Sequence, residues 1–347
     1  MENIKIAITE NGITTLATSG KYCDRNIDVE VNVAGSGGGG EADHTMEDNL
    51  LLGNITSYDY YNDRITSLVS NAFYYDNRLN SIDLPNLTEC QNRAFYYTTN
   101  LTSVNMASIT QLGGERTFYY CENLTEVNMP NLQSINSTYC FYACKKLTSI
   151  DFPLLSFLNG QYIFDSCSLE SVNLPLVTYI PYYCFQNNKT LTNVNLPLVT
   201  EISNSSFAIC TALTNISLPS LQTTGQYCFD GCTALAEVDF PLLQSLGQGT
   251  FYGCTSLAKL NLPSIRAIDR YVFYNSSSLT ALILSNGSQV CSLSATNAFS
   301  GTPIESGTGY IYVPSSLVDA YKTATNWTIF AEQIRAIEDY PEVLEEN

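Results

Sequence analysis

The side chains with the most chemistry to offer are twelve cysteines, and they are not scattered. Cys121, Cys144, Cys167, Cys210, Cys232 and Cys254 each stand three residues after a phenylalanine, and Cys140, Cys184 and Cys228 stand one before it. Cys140/Cys144 and Cys228/Cys232 form C-x3-C pairs. A zinc site built on either would need further thiolates from neighbouring segments, because the one histidine, His44, lies far from both. The competing reading is packing. A position that recurs with the chain's own period is a core position, and a buried cysteine there acts as a small hydrophobe. Packing is the preferred reading, so neither a metal nor a cofactor is expected.

Catalytic constellations fare no better. A single imidazole leaves no Ser-His or Cys-His nucleophile pair. Asp83, Asp151 and Asp239 occupy one periodic position, yet asparagine or serine separates them along the series, so no carboxylate pair of the glycosidase kind forms. Gly35-Ser-Gly-Gly-Gly-Gly40 lacks the Lys-Ser/Thr ending of a phosphate-binding loop. The chain is read as a non-enzyme.

Two strips of side chains could recognise something. The first is Asp83, Asn105, Asn128, Asp151, Asn173, Asn195, Ser217, Asp239 and Asn261, a column of short amides, hydroxyls and carboxylates. Such groups hydrogen-bond sugars or peptide units at low entropic cost. They serve equally to solvate a sheet and bond one another. The second strip is tyrosine. Of 24 tyrosines, fifteen lie within three residues of the recurring phenylalanine. Tyr74-Tyr75, Tyr96-Tyr97, Tyr119-Tyr120 and Tyr182-Tyr183 are doublets, and Tyr142, Tyr252 and Tyr274 directly follow a phenylalanine. Two adjacent side chains on a tight turn cannot both enter a core, so at least one column is expected at a surface edge. There tyrosine offers rigid contact area with a polar tip. The alternative is that the rings stack between repeats and shield the turn.

Those strips are positioned by a repeat. Phe73, Phe95, Phe118, Phe141, Phe164, Phe185, Phe207, Phe229, Phe251, Phe273 and Phe299 are spaced by 22, 23, 23, 23, 21, 22, 22, 22, 22 and 26 residues. A fixed period of this size is the signature of a solenoid, and the long last step marks an atypical terminal unit. After each phenylalanine the chain reads Leu-x-x-(Ile/Val/Leu)-x-(Leu/Phe/Met)-Pro, as in Leu79-Asn-Ser-Ile82-Asp-Leu84-Pro85. The alternation turns Ile82 and Leu84 inward and Asp83 outward on a short strand. Proline has no N–H for a ladder, so Pro85, Pro130, Pro153, Pro175, Pro197, Pro219, Pro241 and Pro263 end eight strands at one place. The expected fold is an α/β solenoid, with one short parallel strand and a helical or 3-10 turn per unit.

This unit resembles the BspA-type leucine-rich repeat, with its x-Ala-Phe-x-x-Cys-x-x-Leu-x-x-Val-x-Leu-Pro pattern. Asn71-Ala-Phe73 and Arg93-Ala-Phe95 match it closely. Around the array, residues 1–34 carry alternating apolar positions (Ile4, Ile6, Ile8; Ile27, Val29, Val31, Val33) and predict two or three antiparallel strands. The stretch from Thr14 to Val33 resembles an N-terminal module of phage and prophage tail-associated proteins of Gram-positive gut bacteria. Residues 54–68 and 309–327 look like the entry half-repeat and the exit of phage-encoded members of this repeat family. Residues 35–50 read as a flexible glycine-rich linker with a short acidic helix at its end, 51–301 as the array, 302–337 as a capping unit and 338–347 as a solvated acidic tail. In the cap, Ser315 or Ser316 is expected to cap a helix, Leu317, Val318 and Tyr321 to cover the last repeat, and Trp327 to seal it.

Charge bounds the partners. A net charge of −18 repels a phosphate backbone, so nucleic acid is excluded. No apolar run reaches the roughly 20 residues of a membrane span. The N-terminus shows no signal-peptide pattern, which predicts cytoplasmic synthesis and leaves the cysteines reduced. The resemblances imply a virion tail-associated protein, attached to other tail proteins through residues 1–34, with the solenoid recognising a host-surface glycan or protein. They also allow assembly as a multimer. Two alternatives stay open: a BspA-type adhesin on a bacterial surface, and a structural or protein-interaction scaffold.

Overall fold

The computed structural model describes residues 57–345, together with four short strands further upstream. The expected linker at 35–50, and the start of the array at 51–56, lie outside the described residues. Of the upstream strands, Ile8–Glu10 pairs antiparallel with Ile13–Thr15, whereas Ile4–Lys5 pairs parallel with Ile27–Asp28. The all-antiparallel reading of 1–34 therefore covers only the first pair. The chain forms two compact units, residues 1–148 and 149–347.

In the N-terminal unit, strands Tyr58–Tyr61, Leu79–Asp83, Ser103–Asn105 and Glu126–Asn128 form one parallel sheet in successive register. Ile82 and Val104 point inward and are buried, as the alternation requires. Each repeat also carries a second, two-residue strand that the first pattern does not announce. Ser67–Leu68 pairs with Glu89–Cys90, and Gln111–Leu112 with Ser134–Ile135, all parallel. Their inward residues, Leu68, Cys90, Leu112 and Ile135, are buried.

The third wall holds the phenylalanines. Phe73, Phe95, Phe118 and Phe141 are fully buried and stack at 5.2, 5.0 and 4.9 Å between ring centroids. Burying such a ring is worth about 1.5–3 kcal/mol, and each aromatic pair adds about 0.5–1.5 kcal/mol beyond its area. The backbone around them has the i→i+3 hydrogen bonds of the expected 3-10 turn, Tyr74 to Asn71 at 3.2 Å and Asp76 to Phe73 at 3.1 Å. It does not propagate as a helix. Residues two before and two after each phenylalanine adopt positive φ: Asn71 and Tyr75, Arg93 and Tyr97, Arg116 and Tyr120, Tyr139 and Ala143. These left-handed residues break any helix and free alternate amides to reach the next repeat. Asn71, Phe73 and Tyr75 donate to the carbonyls of Asn92, Ala94 and Tyr96 at 2.9, 2.6 and 2.8 Å. The turn wall is thus laced together much as a sheet is.

The C-terminal unit repeats the plan. Ser149–Asp151, Ser171–Asn173 and Asn193–Asn195 form one parallel sheet, Asn215–Ser217 pairs with Glu237–Asp239, and Lys259–Asn261 begins a four-stranded sheet that continues through Ala281–Ile283 and Tyr310–Val313 to Ile334–Ala336. The second strands, from Tyr179–Ile180 to Ser292–Leu293, make a six-stranded sheet. Phe164, Phe185, Phe207, Phe229, Phe251, Phe273 and Phe299 stack at 5.3–5.9 Å.

The end of the solenoid is closed by residues 310–345. A 3-10 turn at Ser315–Leu317 leads into the helix Val318–Thr323. Neither serine caps it through its side chain, contrary to expectation; the Ser315 amide instead donates to Glu338 at 2.8 Å. Tyr321 and Trp327 are fully buried, whereas Leu317 and Val318 are half-buried. Trp327 lies over Phe299 and Tyr321, and its indole N–H donates to the Cys291 carbonyl at 2.7 Å. The solvated tail expected from 338 onward returns to the body. Tyr340 packs edge-on against Tyr312, Val343 joins the cluster of Ile283, Tyr312 and Ile337, and Lys259 donates to the Glu345 carbonyl. Apolar residues among the acids drive this return.

Candidate binding surfaces

The outward strand column forms hydrogen-bonded ladders. Asn128 donates its amide to Asn105, and Asn105 to Asp83, at 2.7 and 2.6 Å. In the C-terminal unit Asn195 donates to Asn173, and Asn173 to Asp151, both at 2.7 Å. Ser217 donates to Asp239 at 2.7 Å, and Ser285 to Asn261 at 3.5 Å. Parallel in-register strands place equal side chains ~4.8 Å apart, within reach of these bonds. A carboxylate stands where a ladder needs an acceptor with nothing to donate. Asn105 and Asn173, inside the ladders, each spend one N–H and one lone pair on their neighbours and keep one of each.

The tyrosines form ladders too. Tyr74, Tyr96, Tyr119 and Tyr142 stack at 5.0, 4.9 and 5.1 Å, and Tyr75, Tyr97 and Tyr120 at 4.9 and 4.7 Å, with ring planes nearly parallel. Both columns are half-buried, so the doublets do not split into one inner and one outer ring. The alternation of ordinary and left-handed backbone keeps both outside the core, and burial with the surrounding phenols pushes the Tyr119 hydroxyl to about 12. Tyr182 and Tyr183 do not share this placement. They precede Phe185, and Tyr183 stacks on Tyr162 at 4.4 Å. Tyr252 and Tyr274 stack at 4.8 Å. Ring faces are therefore consumed between repeats, and edges and hydroxyls face outward.

The cysteines have a role that packing alone does not describe. Cys121, Cys210, Cys232 and Cys254 direct their thiols at the carbonyls of Phe95, Phe185, Phe207 and Phe229, one repeat back, at 3.0–3.3 Å. In three other repeats the position holds another donor, Thr98 to Phe73, Asn188 to Phe164 and Ser276 to Phe251 at 2.8, 2.9 and 2.7 Å, whereas Asp76 in the first repeat accepts from the Tyr58 hydroxyl at 2.7 Å. A buried carbonyl needs a donor, and any small side chain with one will serve. The sequence carried this signal, since the column contains cysteine, threonine, serine, asparagine and aspartate but never alanine. Burial pushes the Cys232 thiol to about 12 and lifts Cys121, Cys210 and Cys254 far above the usual thiol range, so they stay protonated donors. Cys144 donates to Phe118 at 3.3 Å. Among the described residues no group of three or more His, Cys, Asp or Glu is placed to hold a metal ion, and no helix is long and apolar enough to cross a membrane.

One exposed feature lies outside both expected strips. The residue after the strand-closing proline sits at the corner between the two strand walls. After four of the eight prolines it is polar and donates to the carbonyl at the proline position one repeat back: Asn86 to Asp63, Asn131 to Ala107, Ser220 to Pro197 and Ser264 to Pro241, at 2.7–2.8 Å. In the C-terminal unit the corner is leucine four times. Leu154, Leu176, Leu198 and Leu242 are 43, 42, 45 and 49% exposed. Phe157, three residues beyond Leu154 on the second strand wall, is 53% exposed. Repetition makes any inward leucine unremarkable, and the sequence reading did not separate these four from the core.

Comparison with known proteins places the repeat. The family described as the BspA type leucine rich repeat region matches in six copies, over residues 52–159, 113–224, 157–280 and 200–324. No curated protein matches the chain. Among solved structures, a leucine-rich repeat protein from Bacteroides ovatus is 19% identical, with 79% of this chain and 88% of that one covered and a TM-score of 0.38. A leucine rich cell surface protein from Faecalibacterium prausnitzii is 18% identical, with coverages of 80% and 91% and a TM-score of 0.37. The pneumococcal vaccine antigen PcpA is 16% identical, with coverages of 82% and 88% and a TM-score of 0.40. The family match spans most of the chain and coincides with the phenylalanine-anchored turns: this protein belongs to the BspA-type leucine-rich repeat family, whose solenoid typically serves as a binding scaffold.

Proposed function

We propose that this chain is a non-enzymatic binding protein, tail-associated on a phage or prophage particle, whose solenoid recognises a host-surface partner. The observation that carries the binding reading is the leucine corner. Four exposed apolar side chains replace a polar group that elsewhere bonds the preceding repeat. A solvated scaffold gains nothing from that exchange, whereas a contact surface does. The tail assignment is supported by the resemblance of residues 14–33, 54–68 and 309–327 to tail-associated proteins, with residues 1–34 as the attachment to other tail proteins.

Two measurements test this. Mass spectrometry of purified particles should find the chain as a stoichiometric component; its absence there, with detection on the cell envelope, would favour a BspA-type surface adhesin, the reading to which the family match lends support. Labelled full-length protein should bind cells in a panel of Gram-positive gut bacteria. A variant with Leu176→Ser, Leu198→Ser and Leu242→Ser should bind at least about tenfold more weakly, a difference of about 1.4 kcal/mol. Equal binding by the variant would sink the corner as the recognition surface.

A further inference from the structure

We infer that the leucine corner of the C-terminal unit docks a protein partner whose aliphatic side chains are flanked by lysine or arginine. This rests on the binding reading above and names the chemistry of the partner.

The apolar part comes from spacing. Strand register sets Ser149, Ser171 and Asn193 side by side, and the same offset of 22 carries Leu154 to Leu176 and Leu198. Three exposed isobutyl groups therefore follow one another at ~4.8 Å, the separation of parallel strands. The row itself is aliphatic, with one exposed ring, Phe157, beside Leu154 on the second strand wall. A row of aliphatic groups at this interval suits the side chains of a partner helix or strand.

The charge comes from the flanks. Asp151 lies on the strand three residues before Leu154, and Glu201 on the second strand wall three residues after Leu198. Glu170, Glu237 and Asp239 are exposed on the same repeats. Between residues 149 and 258 the one cation is Lys189. An apolar row rimmed by carboxylates attracts a basic surface and repels an acidic one, which also disfavours a second copy of a chain with net charge −18.

The position carries its own control. Ser220 and Ser264 occupy the same corner and donate to the Pro197 and Pro241 carbonyls. Serine at 176, 198 and 242 can do the same toward Pro153, Pro175 and Pro219, so the triple variant should fold and melt like the parent. If it does not, Leu176→Ala with Leu198→Ala serves in its place.

The full-length protein is titrated, by fluorescence anisotropy, with three labelled amphipathic peptides of one length: leucine–lysine, leucine–glutamate, and a serine–lysine peptide of the same charge as the first. The leucine–lysine peptide should bind at least about tenfold tighter than either other. The triple variant should lose that preference, and salt should weaken binding to the parent. Equal affinity for leucine–lysine and serine–lysine peptides, or an unchanged affinity in the variant, overturns the inference. So does sedimentation showing that the parent self-associates through this corner while the variant is monomeric, or competition by cell-wall glycan but not by peptide. Loss of cell binding in the variant without any peptide preference would leave the corner as a binding surface and reject its basic protein partner.

Discussion

The position three residues after each phenylalanine is a hydrogen-bonding requirement that looks like a cysteine motif. Cys232 spends its thiol on the Phe207 carbonyl at 3.1 Å inside a site closed to water. Cys232→Ala removes the donor and leaves that carbonyl unpaired, at a cost of about 1–3 kcal/mol. Cys232→Ser should cost less, because Ser276 already makes the same bond. Urea denaturation of the pair should show Ala below Ser. Asp165 poses the opposite case. It is almost fully buried, and burial raises its carboxyl above the usual range despite bonds from Ser166 and Asn187. The folded state therefore holds this proton to higher pH than the unfolded chain does. Its charge opposes folding above the raised folded value, and that penalty is relieved as pH falls through it toward the unfolded value. Asp165→Asn should melt higher than the parent at neutral pH, with the difference closing in acid. A difference that grew in acid would contradict this sign.

The turn wall is the element where conformation and side-chain type are most at odds. Tyr75, Tyr97, Tyr120, Tyr139, Tyr162, Tyr183, Tyr227 and Tyr271 all hold a left-handed backbone, a region that non-glycine residues avoid. The inter-repeat amide bonds and the stacked rings offset that cost. Ile209 has φ of 63° and no aromatic stack to compensate, and a β-branched residue is poorly suited there. Its counterparts are Asn187 and Asn275, with φ of 61° and 58°, and Gly231 and Gly253. Ile209→Asn should stabilise by about 1 kcal/mol, read as a higher denaturation midpoint with unchanged slope. In this wall the tyrosine ladders are first a structural device, and they present edges rather than faces to any ligand.

A stacked array couples each repeat only to its neighbours, so damage at one end stays near that end. Trp327 closes the last phenylalanine, Phe299, and bonds the Cys291 carbonyl. Trp327→Ala should cost about 3–5 kcal/mol locally. Hydrogen exchange should rise first across residues 282–345, while amides in the 149–224 repeats keep their protection. Uniform loss through the C-terminal unit would show that its repeats unfold as one body. The acidic surface sets the other property of the molecule: it favours basic partners and discourages contact between copies.

The period, the inward phenylalanines and leucines, the proline-terminated strands and the sealing tryptophan were all legible in the linear chain. The reason is that each pass of the backbone around the core must repeat the same apolar positions, so packing writes itself into spacing. The second strand was harder to see, since two inward residues three apart, such as Leu243 and Leu246, carry no alternation. The tertiary structure alone decided how the outward side chains are used. The partner of Asn173 is Asp151, and that of Tyr96 is Tyr74, each 22 residues away. Whether such a group faces its own copy or the solvent depends on register and on the hand of the backbone, which local sequence does not encode. The expected amide and tyrosine strips are thereby spent largely on one another. The leucine corner emerges because Leu154, Leu176 and Leu198 follow one another in the stack and none of them covers the next.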